Sequence, residues 1–302
     1  MGSLNISLFG KLCVRRDERE VQGIDAGKAQ ELLSYLLIHR DRPHSREALA
    51  GLLWGDTSTE KSRKYLRQAL WQLQTALDDE AGGVLTVEHD WVQLNSKGGV
   101  WLDVAAFEQA FTPVQGSGGG DISEHATGLL QEAVRLYRAD LLEGWYQDWC
   151  LYERERLQNI YLLILDKLMA HCEARRKFEL GLLYGSLILR HDRAHERTHR
   201  QMMSLQYHSG DRTAALRQYE RCAAALQEEL GVKPDGRTSA LYQQIRDGNV
   251  QETRTPAAAE AAPASLTELL GQLRQIQTLL ADVQQRVHKD IKEVEFAIDK
   301  RR

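Results

Sequence analysis

The five prolines of this chain separate a long segment that can be helical from shorter segments that cannot. Proline lacks a backbone N–H and clashes with the preceding helical turn, so it is excluded from helix interiors and central strands. The prolines are Pro43, Pro113, Pro234, Pro256 and Pro263. Because none lies between Val114 and Lys233, this stretch can form nearly continuous helix, and the sequence predicts a mainly α-helical protein with a small β component.

Composition changes at two places and divides the chain into domains. Four glycines lie between Gly116 and Gly120, directly after Pro113, and predict a flexible junction or loop near residues 112–122. The segment from Thr255 to Ala264 lacks the large apolar residues of a core and is typical of a flexible linker. The predicted organisation is a first domain at 1–112, a second at 113–247, a linker at 248–265 and a C-terminal helix at 266–302.

The C-terminal helix carries a narrow apolar stripe with alternating spacings of three and four, which is the pattern of a coiled coil with one interruption. A single helix cannot bury such a stripe alone, so it must pair with itself, with a partner chain or with the body of its own chain. Self-association into a homodimer or a higher homo-oligomer is the interpretation that we prefer. The predicted oligomerisation residues are Leu266, Leu269, Leu273, Ile276, Leu280, Val283, Val287, Ile291 and Val294, with Ile298 one step further.

The first domain begins with short strands and continues with three helices and a hairpin. Residues 4–9 and 11–16 alternate as strands, and Val21 begins a further candidate strand. The helical period follows from Gln30 to His39, after Ser45 as an N-cap, and again from a capping box at Thr57 and Glu60. Two β-rich runs, 84–87 and 91–94, then form a hairpin. This order predicts a winged helix-turn-helix, whose third helix enters the DNA major groove.

The third helix has a core face and an outward face. Leu66, Leu70, Leu73 and Leu77 fall together on a helical wheel and should face the core. We expect the outward residues to contact DNA, with Arg63 and Arg67 at the flanks and His89 near the tip of the wing. The predicted DNA-binding residues are Lys61, Arg63, Lys64, Arg67, Gln68, Trp71, Gln72, Thr75 and His89.

Local charge supports this interpretation although the whole chain carries a net charge of −4. Residues 57–77 contain four basic side chains and one acidic one. Lys and Arg neutralise phosphates, and Gln pairs with adenine in the major groove. An ordinary solvated helix face has the same composition, and packing against the second domain would equally explain the exposed position expected for Trp71.

The second domain shows helical periodicity and a weak internal repeat. Tyr207, Gly210, Ala215 and Tyr219 have the spacing of a tetratricopeptide helix pair, and small residues recur 34 positions earlier at Gly181 and Gly185. Stacked helical hairpins are therefore expected, and such folds are binding or assembly modules far more often than catalysts.

One pentapeptide suggests zinc chemistry. His195, Glu196 and His199 match H-E-x-x-H, which places two imidazoles on one helix face. Arg193, Arg197 and Arg200 surround it with positive charge that opposes a dication, so we expect solvent-facing histidines, no metal site, no cofactor and no catalytic residue. Four dispersed cysteines without a C-x-x-C pair fit reduced side chains in cores. No apolar run is long enough for a membrane span and no leader pattern opens the chain, so a cytoplasmic protein without a membrane partner is predicted.

Several motifs together resemble the antibiotic-regulatory-protein (SARP) type of bacterial activator. In the first domain these are residues 8–10, 28–37, 45–54 and 66–73, a half that is similar to the winged-helix output domain of response regulators. Residues 101–108, Trp149 with 153–157, 194–203, 228–234 and 241–245 resemble the bacterial transcriptional activator domain. The resemblance covers about residues 4–246. It implies a regulator of transcription, favours activation, and carries no metal role for Glu196 or His199.

The sequence therefore favours a sequence-specific regulator that binds double-stranded DNA, with RNA polymerase as a candidate partner. Its third helix departs from related recognition helices, which are richer in arginine where this one has Trp71, Gln72 and Gln74. The alternative is a scaffold that keeps the winged-helix fold and binds proteins through its helical repeats. Near-neutral charge on the first domain favours that alternative slightly.

Overall fold

Helix occupies most of the residues that the structure describes, as the scarcity of proline predicts. The computed structural model describes residues 4–24, 27–78, 83–95 and 99–248. Within these ranges the helices are α1 (Gly27–Ile38), α2 (Arg46–Trp54), α3 (Thr59–Leu77), α4 (Asp103–Phe111), α5 (Glu124–Leu136), α6 (Asp148–Ala174), α7 (Phe178–His191), α8 (Glu196–His208), α9 (Arg212–Leu230) and α10 (Gly236–Asp247). None of these helices is long and apolar enough to cross a membrane. Apart from Gly248, the predicted linker at 248–265 and the predicted coiled coil at 266–302 lie outside the described residues.

Two small sheets frame the first three helices. The strands are β1 (Leu4–Ser7), β2 (Cys13–Arg16), β3 (Arg19–Glu20), β4 (His44–Ser45), β5 (Leu85–Val87), β6 (Trp91–Leu94) and β7 (Val100–Leu102). The first sheet has the order β3-β2-β1-β7, with β7 parallel to β1, and the second has the order β4-β6-β5. The predicted fold class, a winged helix-turn-helix followed by tetratricopeptide-like helices, is confirmed for the described residues.

The starts of α2 and α3 test the predicted caps. The Ser45 hydroxyl accepts a hydrogen bond from the backbone N–H of Ala48 at 3.4 Å, so Ser45 caps α2 as predicted. The predicted capping box at Thr57 is wrong, because the N-cap of α3 is Ser58. The Thr57 hydroxyl instead donates to the carbonyl of Trp54 at 3.0 Å and so closes the turn between the two helices.

The glycine-rich segment differs from the expected flexible junction, because it packs against α6. It contains two short 3-10 turns, Thr112–Val114 and Gly119–Asp121. Lys167 on α6 donates to the carbonyl of Ser117 at 2.6 Å. A Cβ atom on Gly119 would lie 2.7 Å from the Cβ of Ala170, so the close approach to α6 requires glycine there. The boundary between residues 112 and 113 remains a prediction.

The helices after α5 form antiparallel hairpins, α6 with α7 and α8 with α9, and α10 packs on α9. The 34-residue repeat is visible in their geometry. Arg176 and Gly210 lie 34 positions apart in the two hairpin turns and both have a left-handed backbone, with φ of 56° and 91°. Gly181 and Gly185 lie where α7 approaches its neighbours, and a Cβ on Gly185 would be 2.8 Å from Met202 Cγ.

The N-terminal strand joins the two halves of the fold. Leu142 donates from its backbone N–H to the carbonyl of Leu8 at 2.9 Å, and Gly10 donates to the carbonyl of Asp140 at 2.8 Å. The ring of Phe9 packs on Tyr137 with a centroid distance of 4.8 Å. As a result the apolar core is continuous from β1 through α4 and α5 to α8.

Charged side chains reinforce this joint. Glu108 on α4 accepts from Arg40, in the loop after α1, and from Arg156 on α6, each at 2.6 Å. Arg154 on α6 donates to the carbonyls of Leu141, Leu142 and Trp145 at 2.9 to 3.0 Å. It thereby fixes the segment that bonds to the N-terminal strand.

Candidate DNA-binding interface

The core face of α3 is formed by the four leucines that the sequence predicts for it. Leu66, Leu70, Leu73 and Leu77 are at most 2% exposed and pack into the core. Their burial results from the spacing of three and four residues, which puts apolar side chains on one side of the helix. The opposite side of α3 is therefore presented to solvent.

Most of the predicted contact residues lie on that exposed side. The exposed members of the set are Lys61, Arg63, Lys64, Arg67, Gln68, Trp71 and Thr75 on α3, and His89 in the hairpin between β5 and β6. Trp71 is 68% exposed, so packing against the second domain does not account for its position. The exposed face of α3 thus combines cations, amides and one aromatic ring.

Gln72 and Thr75 of the predicted set donate hydrogen bonds to backbone carbonyls of the same chain. Gln72 is only partly exposed, and its side-chain amide donates to the carbonyl of Gly23 at 2.7 Å, which ties α3 to the loop after β3. The Thr75 hydroxyl donates to the carbonyl of Trp71 one turn earlier at 2.8 Å. Gln72 would have to exchange its bond to Gly23 in order to reach a base.

A cleft between α3 and the β5–β6 hairpin brings together residues that are far apart in sequence. It is lined by Arg63 and Arg67 from α3, by Arg46 and Glu47 from the start of α2, and by His89 and Asp90 from the hairpin. Arg46 was not among the predicted residues. Its backbone N–H donates to the carbonyl of Asp90 at 2.9 Å and its guanidinium to the carbonyl of Glu88 at 3.0 Å, so it anchors the wing to α2. The sequence signal that could have identified Arg46 was its position directly after the Ser45 N-cap, at the start of the predicted second helix.

The cleft also contains carboxylates, which reduce its positive charge. Glu47 accepts from Arg63 at 2.8 Å, and Asp90 lies 3.7 Å from the His89 imidazole. Arg67 has no carboxylate partner among the described residues. Among the described residues of this surface, Arg46, Lys61, Lys64 and Arg67 carry positive charge without a carboxylate partner.

Comparison with known proteins identifies the second half of the fold. The family model described as the bacterial transcriptional activator domain matches residues 102–246. Regulatory protein AfsR from Streptomyces coelicolor is 29% identical over 267 residues, which cover 85% of this chain and 26% of that protein. The chain is thus similar to SARP-type transcriptional regulators. It spans only about a quarter of its curated relative, so the activity of that whole protein does not transfer to it.

A solved structure shares the fold of this chain. Mycobacterium tuberculosis EmbR, solved in complex with a low affinity phosphopeptide, superposes with a TM-score of 0.64 at 21% identity. The match covers 83% of this chain and 67% of the EmbR chain. At that identity the likeness shows the arrangement of helices and strands alone.

The H-E-x-x-H residues of this chain take part in the packing around the start of α8. His199 is buried rather than solvent-facing, which corrects the expectation for this residue. Its Nε2 bonds to the carbonyl of Arg193 at 2.9 Å and its Nδ1 to the amide of Gln218 at 2.7 Å. His195 bonds to Thr198. Among the described residues no group of three or more His, Cys, Asp or Glu side chains is placed to hold a metal ion.

Proposed function

We propose that this chain is a sequence-specific DNA-binding activator of transcription that reads the major groove with the exposed face of α3. The observation that carries the proposal is the composition of this face, where Lys61, Lys64 and Arg67 lie exposed beside Gln68. A helix of this kind next to a β-hairpin wing is the arrangement by which winged-helix proteins dock on a duplex. The proposed role involves no cofactor and no catalytic residue.

Within this surface the side chains divide between bases and phosphates. Lys61, Lys64, Gln68, Trp71 and Gln72 would face the groove, where amides and cations read base edges. The flanking residues Arg63, Arg67 and His89 would contact phosphates, which position a protein on DNA without reading its sequence. Thr75 lies at the far end of the helix and would contact the rim of the groove.

Oligomerisation through residues 266–302 would complete the proposed function. Two copies joined by a coiled coil would contact two half-sites, and the second contact would form at high effective concentration. The stripe from Leu266 to Val294 is the basis of this proposal. Measuring the mass of the full chain and of a chain without residues 266–302 tests it, and equal subunit numbers would contradict it.

As an activator the protein would act together with RNA polymerase on chromosomal DNA. That setting agrees with the cytoplasmic location that the sequence predicts. A transcription assay with purified polymerase and a selected duplex template would separate activation from repression.

The test of DNA binding is a gel-shift titration with a duplex obtained by in vitro selection. The double variant Lys64→Ala/Arg67→Ala should bind at least tenfold more weakly. Because Arg67 would contact a phosphate and Lys64 a base edge, the log–log salt dependence of the variant should also be shallower by about 0.9, the contribution of one phosphate contact. Arg135→Ala on α5, which removes a cation paired with Glu132 far along the chain, is the matched control.

The alternative function is a protein-binding scaffold, and it draws support from Trp71 and from the carboxylates of the cleft. The same titration distinguishes the two functions. A DNA-binding protein loses affinity steeply as salt rises, whereas a scaffold shows no specific duplex binding at any salt concentration. Unchanged affinity in the double variant would remove α3 from the proposed interface.

A further inference from the structure

We propose that Glu47 holds Arg63 in the DNA-free protein and thereby determines how strongly the chain distinguishes its own site from other duplexes. This inference rests on the DNA-binding function proposed above. It assigns a specificity role to Glu47, an acidic residue on a surface that would otherwise be selected for positive charge.

The contact is a charge-assisted hydrogen bond between two helices. Glu47 lies in the first turn of α2, and its Oε1 atom accepts from Nη2 of Arg63, near the start of α3, at 2.8 Å. The two side chains are 71% and 58% exposed, so solvent screens the pair and its net strength is small. A phosphate oxygen can therefore replace the carboxylate, because it offers the same acceptor to the guanidinium.

The other charges around Arg63 do not compete for it. Arg46 is occupied by the carbonyl of Glu88, and Asp90 lies beside His89. Arg67, one turn further along α3, has no carboxylate partner within the described ranges. Of the two α3 arginines in the cleft, Arg67 is thus available to any phosphate, while Arg63 is available only after it leaves Glu47.

Because Arg63 is available only after it leaves Glu47, it contacts phosphate in complexes with a well-fitting duplex and not in complexes with a poorly fitting one. A duplex that fits α3 brings a phosphate to Arg63 and displaces Glu47. A duplex that fits poorly leaves the ion pair intact and gains nothing from Arg63. Glu47 therefore weakens binding to unrelated sequences more than binding to the selected site, and the ratio of the two affinities rises.

The test compares two duplexes in gel-shift titrations of the full chain. One is a duplex obtained by in vitro selection, and the other is a scrambled duplex of the same length and composition. Glu47→Gln should raise affinity for the scrambled duplex several-fold, raise affinity for the selected duplex less, and so lower their ratio. The salt dependence for the scrambled duplex should steepen by about 0.9, the contribution of one added phosphate contact.

A double-mutant cycle with Arg63→Ala shows whether the effect passes through Arg63. In the Arg63→Ala background, Glu47→Gln should change the ratio of affinities no further. If it lowers the ratio equally there, Glu47 acts by general repulsion and the inference is overturned. An unchanged ratio in the single variant overturns it as well. Because both side chains are exposed, neither substitution removes a buried contact.

Glu60→Gln is the matched control, since it removes the same charge from an exposed position in the first turn of α3. Glu60 forms no ion pair among the described residues, and its substitution should leave the affinity ratio as it is. If Glu60→Gln reproduces the effect of Glu47→Gln, the pair with Arg63 is not its cause. If the unmodified protein binds both duplexes equally, the proposed function fails together with the inference, and that outcome is visible before any variant is made.

Discussion

Gly181 and Gly185 show what a single residue contributes to this fold. Both are small positions of the 34-residue repeat, and both lie on α7 where it meets α8. The repeat spacing predicted small residues there. The spacing did not show why these residues must be small. The space that a side chain would need is filled by Leu205 and Met202, which come from the next helix.

Substitution of these glycines gives a prediction at the residue scale. Gly185→Ala places a methyl group 2.8 Å from Met202 Cγ and should lower the free energy of unfolding by roughly 1–3 kcal/mol. Gly128→Ala, in the middle of α5 with no atom within 4 Å of the new Cβ, should instead raise it by up to about 1 kcal/mol. Urea denaturation of the two variants measures both. Equal stability of the two would contradict the packing described for α7.

Sequence reasoning located most candidate contact residues but not their partners. The spacing of four leucines was sufficient to orient α3, and therefore to expose Lys61, Lys64 and Arg67. It could not reveal that Gln72 bonds to Gly23 or that Arg63 bonds to Glu47, because neither pair is periodic along the chain. Whether the exposed face contacts DNA stays a prediction.

At the scale of elements, the packing of α8 on α9 depends on a buried histidine. His199 is 3% exposed and bonds to Gln218 on α9. Burial lowers the pKa of His199 from its ordinary value of 6.5, despite the opposing effect of its hydrogen bonds. Burial likewise lowers the pKa of His39 and of His171.

These shifts predict that stability falls in mild acid. The unfolded chain takes up protons on these histidines at higher pH than the folded chain does. Their contribution is therefore complete above about pH 6.5 and is lost as the pH falls toward the lowered pKa values of the folded state. His199→Gln should reduce the loss of the urea midpoint between pH 7.5 and pH 5.5. His125→Gln, at an exposed position on α5, should leave that loss unchanged.

Helices and strands with a repeating apolar pattern were predictable from the sequence. Very short strands, and strands that pair with a distant part of the chain, were not. The three helices and the hairpin of the first domain follow from apolar spacing and from the Ser45 cap. The third strand was expected to begin at Val21, but the structure has it at Arg19–Glu20. Two other strands were missed. β4 has two residues, too few to show alternation, and β7 pairs with β1, which lies far away in sequence.

At the scale of the whole molecule, the two halves share one core. Composition suggested a flexible junction between them. The structure instead has hydrogen bonds between the backbone of Leu8 and Gly10 and that of residues 140–143, and a ring pair of Phe9 with Tyr137. No sequence pattern predicts these contacts between the two halves, because they join residues more than a hundred positions apart.

The shared core predicts that the first half does not fold alone. A fragment of residues 1–112 loses the Tyr137 ring beside Phe9 and leaves the Leu8 carbonyl and both backbone groups of Gly10 without their partners, so it should lack a cooperative thermal transition and a near-ultraviolet circular dichroism signal. Residues 1–248, which keep the whole core, should show both. A cooperative transition in the shorter fragment would contradict the energetic role assigned to the joint.

The contacts of Arg154 predict how chimeras between related proteins should behave. Because its guanidinium fixes residues 141–145 against the N-terminal strand, the two halves must match one another at that surface. A chimera that joins the first half of one relative to the second half of another would bring together surfaces shaped for different partners. Recombination between relatives should therefore preserve residues 4–248 as one inherited block, with viable crossover points beyond α10.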